Sequence, residues 1–368
     1  MRKRGDNMYR NTYVKISLNN IKRNVEKMIS TFPDYQYYFA VVKADSYGHY
    51  GNRPIEKMIE AGCNYLAVSS LDEAMQIRNY FSDIPILCLE PISTEYIPVA
   101  AENNITLTIS STEIEEYLKQ LPHKLKVHLK VNTGMNRLGL STKEELSKCY
   151  NRLKQNRQIE IEGIFTHIYE ATNELKTKRQ FKCFEDLTTT IPLDTIPIIH
   201  ITASEATELY PKLPYVNGCR FGIMMYGFSK TNKIKLDSTF TLISEVIQIQ
   251  TLNKNDTVGY DAAYQATEDK ERIAIVSIGY ADGITRANTG RIIYINEKEY
   301  PIVGNICMDM LFVKVDEQVS VHDKVYIIKD VEHIKTIANH LHTVPQEVMC
   351  NISKRVPRVY DKEDIDEM

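Results

Sequence analysis

Eight apolar segments recur between residues 37 and 223, most of them followed by an amphipathic stretch. They are YYFAVVK (37–43), YLAVSS (65–70), IPILCLE (84–90), ITLTIS (105–110), KVHLKVN (126–132), IEGIFTH (161–167), IPIIHITAS (196–204) and YVNGCRFGI (215–223). Stretches such as SLDEAMQIRNYF, STEIEEYLKQL, STKEELSKCYNRLKQ and ELKTKRQFKCFEDLTTTI separate them. Near-continuous apolar strands alternating with helices predict a parallel sheet covered by helices. Eight such units predict a (β/α)8 barrel.

The pattern changes near residue 230. TFTLISEVIQIQ, RIAIVSIGY, RIIYINEKEYPIVG, MLFVKVD and KVYIIKD alternate with period two between turn-like clusters, which predicts a mostly antiparallel β domain with one helix, HIKTIANHL, near its end. YVKIS (13–17) reads as a short strand ahead of a helix. The expected division is therefore a flexible N-terminus over 1–12, a barrel over 13–235 whose first strand joins the second domain, and a C-terminal β domain over 236–368. A chain of 368 residues suits a barrel of roughly 200–250 residues plus a smaller domain.

Several classes are disfavoured. A net charge of −3 without a basic, aromatic-interleaved stripe argues against nucleic-acid binding. Seven scattered cysteines without a CxxC argue against a disulfide scaffold or a zinc site and predict a reducing, cytoplasmic setting with no metal. No apolar run reaches transmembrane length, so no membrane contact is expected from this chain itself. The basic start, MRKRGDN, reads as a floppy terminus or as the cytoplasmic flank of a membrane segment preceding residue 1, which would tether the protein. GxGxxG and GxxxxGK[ST] are absent, leaving a Rossmann or P-loop nucleotide site without support.

A barrel carries its active site at the C-terminal ends of its strands. Lys43, Lys130, Arg137, His167, His200, Ser204 and Arg220 fall there, a cation-rich mouth that favours an anion. Ser204 and the backbone near Gly222 and Ile223 follow strands seven and eight, where barrels commonly hold phosphate. Lys43 ends an apolar strand and opens into a loop. Its neighbours Ala40, Val41 and Val42 would desolvate it and make it a base or a Schiff-base amine, and a solvated strand-end lysine is the other reading. Taken singly, His167 and His200 read first as core histidines and Arg220 as half of an ion pair, and their place on one face with the other cations favours the functional reading. In the β domain, VGYDAAY and SIGYADG place tyrosines beside glycines, where they serve as packing residues or, near cations, as bases.

AVVKADSYGHY, HLKVNTGMNRLGL, FTH, HITASEAT, NGCRFGIMMYG, VGYDAAY, IGYADG, GNICMD and SKRVPRVY together resemble, in this order and along essentially the whole chain, the motifs of the alanine racemase family of pyridoxal 5′-phosphate (PLP) enzymes. The resemblance implies that Lys43 holds PLP as a Schiff base and serves one face of a small amino-acid substrate. Tyr260 from a partner subunit would serve the other face. His167 would hold that tyrosine, His200 would contact Arg220, and Arg220 would face the pyridine nitrogen without giving up its proton. Arg137 would stand beside the phenolic oxygen and the substrate, with Lys130 at the position many members carbamylate. Tyr47, Ser204, Gly222, Ile223 and Lys354 match the phosphate and cofactor contacts. The Met308 backbone, also from the partner, would meet the substrate carboxylate, and Tyr280 and Arg286 would line the access corridor. A homodimer with shared active sites follows, supplying D-alanine for peptidoglycan.

Three positions depart from the pattern. Lys354 stands where tyrosine is usual, Thr172 where an acidic residue is usual, and Asn305 where arginine is usual. All lie around the access route and the space for the substrate side chain. They keep open a second substrate, serine, as in family members that form the cytoplasmic half of membrane-bound resistance racemases. A decarboxylase of the same architecture and a non-catalytic PLP carrier are the competing readings. The Tyr260 and Met308 motifs argue against the first, and the β domain against the second.

Overall fold

The computed structural model describes residues 9–231 and 233–361. The basic MRKRGDN start therefore lies outside the described residues. The chain divides into two units, one of residues 21–46 and 52–237, the other of residues 1–20, 47–51 and 238–368.

The first unit is a closed parallel barrel of β2 (Tyr37–Val41), β3 (Tyr65–Val68), β4 (Ile86–Cys88), β5 (Ile105–Ile109), β6 (Leu125–Lys130), β7 (Ile159–Phe165), β8 (Ile198–Ala203) and β9 (Gly218–Phe221), in that order around the ring. These are the eight units expected from the apolar segments. They are buried almost throughout, as strands enclosed by helices must be. The helices run α1 (Leu18–Thr31), α2 (Lys43–Gly48), α3 (Arg53–Glu60), α4 (Leu71–Arg78), α5 (Ile97–Glu102), α6 (Lys143–Gln155), α7 (Glu174–Thr188) and α8 (Ser204–Leu209). Local chemistry sets their starts. Ser70 accepts the Glu73 N–H, Asn173 accepts the Lys176 N–H, and Thr142 with Glu145 forms a reciprocal capping box. The stretch 111–121, expected to be helical, holds a single 3-10 turn at Glu116–Leu118. Ile114, Tyr117 and Leu121 are buried without a continuous helix, and so short a segment gains little from nucleating one.

The second unit is an eight-stranded sheet. It contains β1 (Tyr13–Ile16), β10 (Phe240–Leu252), β13 (Glu271–Val276), β14 (Ile292–Ile295), β15 (Lys298–Val303), β16 (Leu311–Val315), β17 (Lys324–Ile328) and β18 (Arg358–Tyr360). A separate hairpin pairs β11 (Thr257–Val258) with β12 (Tyr264–Gln265). Pairing is antiparallel except between β1 and β18, and β1 also lies against β10. Two helices, α9 (Val331–His340) and α10 (Pro345–Cys350), follow β17. Among the described residues no helix is long and apolar enough to cross a membrane.

Candidate active site

Lys43 does not open into a loop. It starts α2, and α2 is left-handed: Ala44, Asp45, Ser46 and Tyr47 all have φ between 51° and 55°. Each such residue costs roughly 1–2 kcal/mol, because Cβ crowds the following carbonyl. One local and one distant bond hold the turn. The Ser46 N–H donates to the Val42 carbonyl at 2.8 Å, and the Ala44 N–H donates to Glu73 Oε1 at 2.6 Å. Gly48 closes it at φ 80°, where a Cβ would lie 2.5 Å from the Met349 carbonyl oxygen. The turn fixes a half-buried lysine at the C-terminal end of β2.

The other cations of the mouth come from neighbouring strand ends. Lys130 is the last residue of β6, with Nζ 5.4 Å from the centre of the Phe165 ring. Burial, then Arg137 and Arg220, pull its pKa down to about 8. His167 follows β7. Burial, then Arg220, Arg137, Lys130 and Lys43, hold it near 3, so it is neutral at physiological pH. Glu90 opposes this crowd at Lys130. Arg137 is exposed on the loop after β6. Ser204, buried at the start of α8, accepts the Gly222 N–H at 2.8 Å, so its own O–H remains to donate to another group.

Arg220, on β9, is 2% exposed. One terminal nitrogen donates to His200 Nδ1 (2.8 Å) and the His200 carbonyl (2.7 Å). The other donates to the Thr166 carbonyl (2.7 Å) and His167 Nδ1 (3.3 Å). Arginine has five N–H donors in a fixed fork, and these four bonds leave Nε–H. Burial lowers the guanidinium to about 10, still cationic at neutral pH. His200 is clamped between Phe39 and Phe165 at ring separations of 4.5 and 4.7 Å. The structure thus joins Arg220, His200 and His167 directly and sets Lys43, Lys130 and Arg137 within electrostatic reach of them.

Sequence reasoning missed His128 and Glu162. His128 Nδ1 lies 2.9 Å from His200 Nε2, and His128 Nε2 lies 3.3 Å from Glu162 Oε2. A carboxylate inside the apolar strand IEIEGIF was a usable signal, since buried Glu demands partners. The isolated Gly163 beside it was another. A Cβ there would fall 2.5 Å from the His128 ring.

The remaining candidates lie in the β unit. Tyr47, whose phenol burial pushes to about 12, belongs to it by packing. Tyr260 is 69% exposed on a one-turn loop, and Met308 is 53% exposed. Asn305, noted as a departure, donates to the Tyr260 carbonyl at 3.0 Å and to Asp261 Oδ2 at 3.2 Å, and Arg286 lies 3.6 Å from the same Asp261 carboxylate. Asn305 and Arg286 thus support the Tyr260 loop. The Tyr280 N–H donates to the Cys307 carbonyl and the Ala281 N–H to the Met308 carbonyl, each at 3.0 Å. Gly279 permits that approach, since a Cβ there would fall 2.3 Å from the Cys307 oxygen. Fully buried Asp282 anchors this loop through Arg10 (2.6 Å) and Arg355 (2.8 Å). Lys354 is exposed, 5.3 Å from the centre of the Tyr50 ring, and Thr172, which belongs to the barrel unit, is exposed.

A barrel with an amine and a buried arginine at its mouth, followed by an antiparallel β unit, defines a class of two-part barrel enzymes built for an anionic cofactor or substrate. Comparison with known proteins narrows it. Residues 16–230 match the family model "Alanine racemase, N-terminal domain" and residues 239–360 match "Alanine racemase, C-terminal domain". Alanine racemase 1 of Bacillus subtilis is 37% identical, with 96% of this chain and 93% of that protein covered. The alanine racemase of Halalkalibacterium halodurans is 34% identical, with 96% of each covered. The crystal structure of alanine racemase from Bacillus anthracis with bound L-Ala-P superposes with a TM-score of 0.91 at 31% identity, covering 97% of each chain. The chain belongs to the alanine racemase family.

Proposed function

We propose that this racemase interconverts L- and D-alanine with pyridoxal 5′-phosphate, passing the α-proton between two bases on opposite faces of the substrate. The observation that carries the proposal is Lys43, fixed by a strained turn on a mouth that also holds Lys130, Arg137 and the buried Arg220. The donor set fits the cofactor. Crowded cations suit a phosphorylated, phenolic ligand, and the Ser204 hydroxyl, the tyrosine of the Lys43 turn (Tyr47) and the backbone at Ile223 are assigned to the phosphate, with the Gly222 N–H holding the Ser204 oxygen. When bound, the cofactor supplies an electron sink that makes the substrate α-proton removable.

The chain's own groups do the rest. Lys43 would hold the cofactor through its Nζ and, once the substrate amine has replaced it there, the freed amine would take or return the α-proton. Arg220 would face the ring nitrogen with its remaining Nε–H and, keeping its own proton, would leave that nitrogen unprotonated and the sink weak enough to disfavour side reactions. His167, neutral and accepting from Arg220, positions the second base. That base is Tyr260 of the partner subunit. The exposure of Tyr260 and Met308 on the β unit fits surfaces completed by a second copy in a homodimer. The cysteines Cys63, Cys88, Cys149 and Cys219 are buried thiols, which fits a reducing cytoplasm.

Serine is the second substrate to consider, because Lys354 replaces the tyrosine that limits room beside the substrate methyl in the motif. One experiment tests both points. The purified protein should show the yellow absorption of lysine-bound PLP, and kcat/KM for L-alanine should exceed that for L-serine. Lys43→Ala should remove the colour and the activity. A folded parent that takes up no PLP contradicts the proposal, and faster turnover of serine reassigns the substrate.

A further inference from the structure

Beyond Arg220 the barrel interior holds a continuous line of polar groups to which the proposed reaction gives no role. It runs from Arg220 through His200 and His128 to Glu162, whose other oxygen accepts from Lys126 at 2.6 Å. Glu162 is 7% exposed, both histidines are fully buried, and the Lys126 side chain is 36% exposed. Tyr65 donates to Glu162 Oε2 at 2.7 Å, and Thr106 lies 3.3 Å from the same oxygen. The backbone is shaped for this line. Val127 pairs with Ile161 but His128 pairs with Gly163, so Glu162 is an extra residue in β7, a device that re-aims a side chain. Gly163 leaves the room that the His128 ring occupies.

The direction of every bond follows from one end. Arginine only donates, so His200 Nδ1 must be bare and its proton must sit on Nε2. His200 Nε2–H then donates to His128 Nδ1, which must also be bare. His128 Nε2–H in turn donates to a carboxylate that only accepts. The two ends allow one arrangement, with both histidines neutral. Because Arg220 cannot pass on a proton, the line is no proton path. It is a fixed, one-way ladder whose bonds polarise one another.

We infer that Glu162 and His128 are positioning residues of the racemase: by terminating this ladder they fix the His200 tautomer, and through it the orientation and hydrogen bonding of Arg220 at the cofactor ring. The inference rests on the proposed role of Arg220. Burial keeps both histidines uncharged, and although burial would raise Glu162, bonds from His128, Lys126 and Tyr65 bring it down to about 2.

Glu162→Gln replaces two acceptor positions by one acceptor and one donor. Lys126 attracts the amide oxygen, which turns the NH2 toward His128. His128 must then accept at Nε2 and carry its proton on Nδ1. His200 follows, and its Nδ1–H meets the Arg220 donor. In Lys126→Met/Glu162→Gln nothing attracts the oxygen outward, and the original order returns.

The test is the ring-nitrogen 15N spectrum of the full-length protein, with and without PLP, alongside steady-state kinetics of the PLP-loaded protein. The parent should show His128 and His200 protonated on Nε2. Glu162→Gln should lose that single tautomer and lower kcat by roughly 10–100-fold, with KM for alanine changed much less. The double variant should regain both. A merely structural role predicts the reverse, since removing Lys126 as well would add damage. The inference is overturned if either parent ring is protonated on Nδ1, if Glu162→Gln keeps its tautomers and kcat, or if the double variant is worse than the single. Should Glu162→Gln not fold, the parent spectrum alone decides the order of the ladder. A parent without racemase activity refutes the functional proposal instead and leaves the tautomer result standing.

Discussion

At the scale of single residues, crowded like charges explain most of the chemistry. Lys130 sits 5% exposed among Arg137, Arg220 and Lys43, and its pKa near 8 leaves a substantial neutral fraction at mildly alkaline pH. A neutral amine adds carbon dioxide with loss of a proton, and the resulting carbamate would turn one of the crowding cations into an anion between arginines. We therefore expect a carbamate carbon signal in 13C NMR of the parent supplied with 13C-bicarbonate. It should strengthen as pH rises through about 8 and be absent from Lys130→Ala. The variant should lose about tenfold in kcat and regain part of it with added acetate. A parent without the signal would leave Lys130 as a plain amine. These features were partly legible in the sequence. Strand-end cations can be listed from apolar runs, so Lys43, His167, His200 and Arg220 were visible. His128 and Glu162 were legible only in part: the Glu inside an apolar strand and the neighbouring Gly163 marked the place, but periodicity does not show the extra residue in β7 that joins them.

At the scale of elements, the left-handed turn at Lys43 is the least expected feature. The residues ADSY carry no glycine, so the sequence offers no sign of positive φ, and only the closing Gly48 hints at it. Contacts outside the turn impose it, through Glu73 on the Ala44 N–H and the Met349 carbonyl against Gly48. Strain held in this way marks functional positions, where it fixes a reactive group. It also reverses an ordinary rule. Gly for Ala inside a helix normally costs about 1 kcal/mol. Ala44→Gly relieves a left-handed residue, so it should stabilise the protein by roughly 0.5–1 kcal/mol. Urea unfolding measures this, and destabilisation of the usual size would show that the turn is unstrained. The 3-10 turn at Glu116–Leu118 is the opposite case: helical spacing was present, yet the buried side chains were satisfied without the helix.

At the scale of the whole molecule, burial of neutral histidines sets the pH response. Burial lowers His128, holds His200 well down and brings His167 to about 3, against an ordinary value of 6.5. Below 6.5 the unfolded chain takes up protons that the folded chain refuses, so stability is full above that pH and falls on acidification. Each such histidine contributes a slope of up to about 1.4 kcal/mol per pH unit. Glu162 adds a loss in the same direction between 4.5 and about 2. Unfolding free energies at pH 7 and pH 5 should therefore differ by several kcal/mol, and a flat profile would contradict the neutral assignment. The architecture itself was the most legible property, because eight apolar segments and a change of period describe two units without reference to any side-chain contact. The proposed pairing of active-site halves between subunits rests on resemblance, and the exposure of Tyr260 and Met308 fits it. It is also the claim on which the two-base account depends. The most direct measurement mixes subunits of Lys43→Ala with subunits of Tyr260→Phe, each inactive by itself. In a hybrid dimer one site has lost both bases and the other has both. An equal mixture should recover about a quarter of parental alanine racemase activity. No recovery in verified hybrids would place both bases in one chain and contradict the account.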